Sequence, residues 1–261
     1  MQLPSLFNPA GGLRYHLRAL RYSKDIWQLF RRDIGDYLLS WPVATKTLLI
    51  VGPSGGYCLP PYIFNRFDQL VCLEPDPLAR FIFRRRLLQA PIEHRPRLEF
   101  IAEDCLLKNP RQLVRLAEGM EDTALLFSNV LGQLRFLLQI EAESDLRLMH
   151  IRDAVAEATQ HRAFASFHDR VSGMVRPTFT QPFLSDSRLS DEALLSHLFA
   201  GSRKYYRTNQ PELLDHLTDG FFSAALPHAY FTWQIKPGMF HLIEAVTSSP
   251  GVSRVIRDEN S

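Results

Sequence analysis

The chain has 261 residues, 46% of them hydrophobic and 22% charged, with a formal net charge of +2. That is enough apolar chain for one sizeable core and too little length to require two domains. The near balance of charge excludes a whole-molecule field directed at nucleic acid or a membrane surface, and no apolar run approaches the ~20 residues needed to cross a bilayer. The N-terminal stretch MQLPSLFNPAGGLRYH lacks a secretory apolar segment. Cys58, Cys72 and Cys105 lack metal-ligand spacing, so the expectation is a cytoplasmic protein with reduced thiols and no metal.

The first elements are helical. Leu13 to Tyr22 reads as a short helix with Arg14, Arg18 and Arg21 on one side. Ser23 is the expected cap of a second, in which Ile26, Phe30, Ile34 and Tyr37 recur at three- to four-residue spacing through Leu38. Trp41-Pro42 ends it, because the residue before proline is pushed out of helical geometry. Residues 1–46 therefore read as a helical segment packing on the core, and 47–261 as the main α/β unit.

From Thr47 short apolar runs alternate with helical stretches, which predicts a parallel sheet. Strands are expected at Thr47 to Gly52, Gln69 to Glu74, Leu98 to Ala102, Thr123 to Ser128 and Ala163 to Phe167. Helices are expected near Pro61 to Phe67, Pro77 to Gln89, Pro110 to Ala117 and Glu141 to Thr159. The rhythm then breaks over an insertion, 174–227, with two expected helices, Ser190 to Ala200 and Pro211 to Leu217. Two last strands, Tyr230 to Ile235 and Phe240 to Val246, flank Lys236-Pro237-Gly238-Met239. The Pro-Gly pair suits a type II turn, hence an antiparallel hairpin.

The apolar run Leu48 to Val51 ends in Gly52-Pro53-Ser54-Gly55-Gly56, a loop that can turn sharply and offer backbone N–H groups to a ligand. The alternative is a tight strand-to-helix turn with no ligand. Glu74 closes the second strand about twenty residues later, where a carboxylate can accept both hydroxyls of a ribose. Its plainer reading is a residue leading into Pro75-Asp76-Pro77, with Asp76 as a helix cap. Asp104 closes the third strand.

This order of parts, from Leu48 to Val246, resembles the class I methyltransferases that use S-adenosylmethionine. The resemblance implies an α/β, doubly wound, mostly parallel seven-stranded sheet with a C-terminal antiparallel hairpin. It also implies roles. Gly52 and Gly56 match the outer glycines of the cofactor loop, with Pro53 between them and Ser54 at the middle-glycine position. Glu74 matches the ribose acid, Asp104 the adenine-side acid, and Asn129, after the fourth strand, the place where cofactor and substrate meet.

His168-Asp169-Arg170 ends the fifth strand in this reading, and His168 or Asp169, with Asn129, could take part in catalysis by removing a proton from the acceptor. A charged strand end with ordinary ion pairs is the alternative. Arg80, Arg84, Arg85 and Arg86 read first as a solvated helix face, with nucleic-acid contact as the alternative. Tyr205, Tyr206 and Arg207 mix rings with a cation inside the insertion and are the expected substrate residues, the insertion serving as a cover. The function expected is methyl transfer from S-adenosylmethionine to an unidentified acceptor, with the oligomeric state open. Ile50 and Ser54 favour a non-catalytic relative as the second reading. Glu74 also permits a nicotinamide-dependent oxidoreductase, against which the late hairpin argues.

Overall fold

The computed structural model describes residues 12–120, 122–138, 144–199 and 213–249. Helices α1 (Leu13–Tyr22) and α2 (Gln28–Ser40) precede a sheet that begins with β1 (Thr47–Val51), β2 (Gln69–Leu73) and β3 (Arg97–Ile101). Strands β4 (Thr123–Ser128) and β5 (Phe164–Gly173) continue it, and all five pair in parallel. The connections are a 3₁₀ helix (Pro61–Arg66), α3 (Pro77–Gln89), α4 (Pro110–Glu118), a 3₁₀ turn (Leu131–Gln133), α5 (Leu134–Leu138) and α6 (Ser144–Thr159). Then come β6 (Phe183–Ser185), α7 (Asp191–Leu198), β7 (Leu213–Asp215), β8 (His228–Lys236) and β9 (Met239–Ser248).

The strand order is β3-β2-β1-β4-β5-β9-β8-β6, with β7 pairing β5 off that path. Strand β9 is antiparallel to both β5 and β8, so β8 runs with the parallel set. Gly238 takes the positive φ of 71° that the tight turn between β8 and β9 demands. The architecture is thus the expected α/β, mostly parallel sheet with a late antiparallel hairpin. Its strand count differs from seven: β6 and β7, three residues each, come from the insertion and make nine among the described residues.

Strand residues alternate between two cores, as the two-residue period of a strand requires. Leu48, Ile50, Leu70, Cys72, Leu126 and Phe167 face α2, the 3₁₀ helix and α3. Leu49, Val51, Val71, Leu73, Leu125 and Phe127 face α4 and α6. A third cluster ties the insertion down, with Leu194, Leu198 and Leu213 against Val171, Tyr230 and Leu242. The three cysteines are free and buried.

Three local expectations change. Ser23 does not cap α2: it closes α1, its N–H bonded to the Ala19 carbonyl, and α2 starts after Trp27 without a side-chain cap. Residues 213–215, expected as helix, form β7, because pairing with Val171–Gly173 satisfies their backbone and buries Leu213. Strand β5 does not stop at Phe167. It runs on to Gly173, since β9 pairs it on one side along this length and the polar side chains it carries find buried partners.

Candidate functional site

The loop after β1 is held in an unusual backbone course. Gly52, Ser54 and Gly56 all have positive φ, at 65°, 50° and 68°. A serine in that region costs roughly 1–2 kcal/mol, and its compensation is visible: the Ser54 N–H donates to Glu74 Oε2 at 2.9 Å. The other oxygen, Oε1, accepts from the Asp76 N–H at 3.0 Å. Glu74 thereby clamps the glycine loop to the carboxyl end of β2 and orients the start of α3, where Asp76 caps the Leu78 N–H at 2.8 Å. Glu74 is 7% exposed, and burial raises its pKa to about 7 against the opposing pull of the Asp76 and Ser54 N–H groups.

Gly56 is required by packing. A Cβ there would sit 2.7 Å from the buried Phe83 ring of α3, so the missing side chain admits the neighbouring helix. Gly56→Ala should lower the unfolding free energy by roughly 2–4 kcal/mol, combining overpacking with a left-handed alanine. Thermal melting checks this, and an unchanged midpoint would show that Phe83 moves freely.

Helix α1 lies across the same loop. His16 reaches the Tyr57 hydroxyl (3.2 Å) and Asp76 (3.4 Å), and the Tyr15 hydroxyl lies 3.7 Å from Cys58 Sγ. Of the arginines on α3, Arg86 sits over the Tyr57 ring and Arg84 over the Phe100 ring, so those two are engaged within the protein. Asp104 is half-buried and caps its own turn, accepting from Leu106 (3.3 Å) and Leu107 (2.8 Å).

At the end of β4, Asn129 adopts a φ of 54° and joins Asp169 twice: the Asp169 N–H donates to Asn129 Oδ1 (2.9 Å), and Asn129 Nδ2 donates to Asp169 Oδ2 (3.3 Å). Gln133 donates to the same Oδ2 at 2.8 Å, and His241 Nδ1 lies 2.7 Å from Oδ1. Burial alone would push the Asp169 carboxyl up; the His241 imidazole and the Asn129 amide outweigh it and hold it below the usual carboxylate range.

His168 does not join this group. Neighbouring strand residues point to opposite faces, so His168 bonds Ser166 (3.0 Å) and packs on Phe222 while Asp169 faces Asn129. Burial drops the His168 imidazole to about 4 and keeps it neutral near pH 7. Arg170 is no rim charge: it is 2% exposed and pairs with Asp191, Asp215 (3.1 Å) and Glu244 (3.5 Å). Tyr205, Tyr206 and Arg207 lie outside the described residues.

His16, Tyr57, His216 and His241 are the site-side residues that sequence reasoning missed. Two surface clefts, about 570 Å³ between α4 and α6 and about 560 Å³ beside Tyr37 and Leu184, are lined by none of Gly52, Ser54, Gly56, Glu74, Asn129 and Asp169. The candidate site is therefore defined by convergent polar groups at the carboxyl ends of the parallel strands, where open α/β sheets bind ligands, and not by the size of a cavity.

No protein-family model and no curated protein matches the sequence. Among solved structures, a magnesium protoporphyrin IX methyltransferase from Synechocystis with bound S-adenosylmethionine is 14% identical, aligning 91% of this chain with 86% of that one at a TM-score of 0.42. An N-methyltransferase from Bradyrhizobium japonicum in complex with S-adenosylhomocysteine is 13% identical, over 90% and 98% of the two chains, at a TM-score of 0.43. At that identity and score they carry no argument about chemistry, which rests on the residues above.

Proposed function

We propose that the protein binds S-adenosylmethionine at the β1 loop and transfers its methyl group to an acceptor near Asn129 and Asp169. The observation that carries this reading is Glu74: a buried carboxylate at the end of β2, clamping a loop with three left-handed residues. Each of its oxygens accepts one backbone bond and keeps a second lone pair, so a ribose diol can add without breaking the clamp. Gly52, Pro53, Ser54 and Gly56 would shape the cofactor side, with Asp104 toward the adenine and Asn129 toward the reacting end. The cofactor supplies an electrophilic methyl group, so the protein's task is alignment and exclusion of water. Asn129 and Asp169 supply donors and acceptors that can orient an acceptor hydroxyl or amine.

The insertion serves as a cover in this reading, supported by β7 lying against the extended end of β5 and by His216 bonding the Gly132 carbonyl at 2.7 Å. None of the described helices is long and apolar enough to cross a membrane, and a cytoplasmic location is part of the proposal.

Calorimetric titration with S-adenosylhomocysteine tests the reading. Micromolar binding is expected, weakened about 10- to 100-fold in Glu74→Ala, the loss of roughly 1.5–3 kcal/mol from hydrogen bonds to a charged group. The pH dependence has a definite sign. Ribose hydroxyls donate better to the carboxylate than to the acid, so affinity should rise as pH passes upward through about 7 in the wild type and stay flat in Glu74→Ala. No heat at millimolar cofactor would leave a non-catalytic module. Displacement by a nicotinamide dinucleotide would point to an oxidoreductase, against which the antiparallel β9 between β5 and β8 argues.

A further inference from the structure

We propose that Asp169, His216 and His241 form a binding site for a divalent transition-metal ion of the zinc or ferrous type. One ligand-capable atom from each lies within 4.8 Å of the other two, and all three side chains are buried, at 0%, 2% and 7% exposure. Bonds of about 2.0–2.1 Å to one ion set ligand atoms about 3.3 Å apart, so Asp169 Oδ1 and His241 Nδ1, now 2.7 Å apart, would open slightly while His216 moves no more than about 1.5 Å closer.

The surroundings prepare each group as a ligand. His216 Nδ1 lies 2.7 Å from the Gly132 carbonyl, which can only accept, so Nδ1 carries the proton and Nε2 presents a lone pair. That lone pair now faces the Ser172 hydroxyl at 2.8 Å, a group that can rotate away or remain as an additional oxygen. Asp169 has its Oδ2 fixed by Gln133 and Asn129, leaving Oδ1 toward His241. His241 Nε2 is buried and has no hydrogen-bond partner among the described residues, so it can carry the ring proton and leave the Nδ1 lone pair, facing Oδ1, for the ion.

Outer hydrogen bonds that fix tautomer and orientation are the usual support of metal-binding imidazoles and carboxylates. Gly132 makes the assembly possible, since a Cβ there would lie 2.7–2.9 Å from Asp169 backbone and side-chain atoms. Two imidazoles with one carboxylate suit zinc and ferrous ions and do not suit magnesium or calcium, which take oxygen donors. The site shares Asp169 with the acceptor side of the proposed reaction but does not depend on methyl transfer.

The test uses the full chain stripped with chelator and titrated with Co²⁺, followed by visible absorption, then with Zn²⁺. One equivalent of Co²⁺ should produce ligand-field bands, Zn²⁺ should displace it, and a hundredfold excess of Mg²⁺ should not. His216→Gln and His241→Gln should each weaken binding at least 100-fold with far-ultraviolet circular dichroism retained, whereas exposed His94→Ala should leave it unchanged. Absence of stoichiometric uptake, or equal uptake in both Gln variants, overturns the site. If a variant fails to fold, the wild-type stoichiometry and the Mg²⁺ competition decide. S-adenosylhomocysteine titrated into the same samples keeps the two readings apart: cofactor binding without metal uptake overturns only the metal site, and metal uptake without cofactor binding overturns only the methyl-transfer reading.

Discussion

Glu244→Gln is expected to lower the unfolding free energy by roughly 3–5 kcal/mol, the range for removing one partner from a buried ionic cluster. Glu244 is 1% exposed and faces Arg188 Nε at 3.0 Å, His228 Nδ1 at 2.8 Å and Arg170 Nε at 3.5 Å. Without its charge, two nearly buried guanidinium groups lose their common counter-ion. Burial alone would raise the Glu244 carboxyl, but the His228 hydrogen bond and the Arg188 charge hold it at about 2. The folded value lies below the ordinary 4.5, so the stabilisation is fully present above pH 4.5 and is lost as pH falls through 2. Urea unfolding from pH 7 to pH 3 should show the wild type losing stability below pH 4.5 much more steeply than the Gln variant. Parallel curves would mean that the cluster contributes no net stability.

Trp27→Ala is expected to cost about 3–5 kcal/mol, as for other fully buried aromatics cut to alanine. Trp27 has 0% exposure, meets the Trp233 ring edge-on at 4.9 Å and donates its indole N–H to the Ile235 carbonyl at 3.1 Å. Phe30 stacks on Trp233 at 5.0 Å. The change opens a cavity, strands a carbonyl and loosens α1 and α2 together. Denaturant unfolding measures the cost, and amide exchange in residues 13–40 should rise with it. A loss below about 1 kcal/mol would show that the N-terminal helices are only lightly docked.

The parts legible in the sequence are those set by neighbours along the chain. The β1 run and its glycines, the acid at the end of β2 and the Pro237-Gly238 turn each carry their own short-range signal, and they appear where expected. The fifth strand was read too short because His168, Asp169 and Arg170 interrupt an apolar run. Only their partners, at Glu244, His241, Asp191 and Asp215, make those charges tolerable inside a sheet. His216 and His241 gave no signal at all. They reach Asp169 through the pairing of β7 with β5 and through the register that sets His241 opposite Ser172. No local pattern encodes a pairing across about seventy residues. Residues 213–215 were misread for the same reason: three-dimensional pairing overrode a weak local preference.

Strand β9 is the last of the nine described strands, yet it lies inside the sheet between β5 and β8. During synthesis the long edge of β5 must wait, unpaired on that side, until residues 239–248 have left the ribosome. Glu244 and His241 arrive with that same strand, so the ionic cluster and the proposed metal site can form only in the closing step of folding. A ribosome stalled before residue 239 would hold a chain with parallel strands and an open edge, a species prone to pairing with other chains. Chains released at successive lengths and assayed for protease resistance should therefore stay cleavable until β9 is complete, then become resistant in one step.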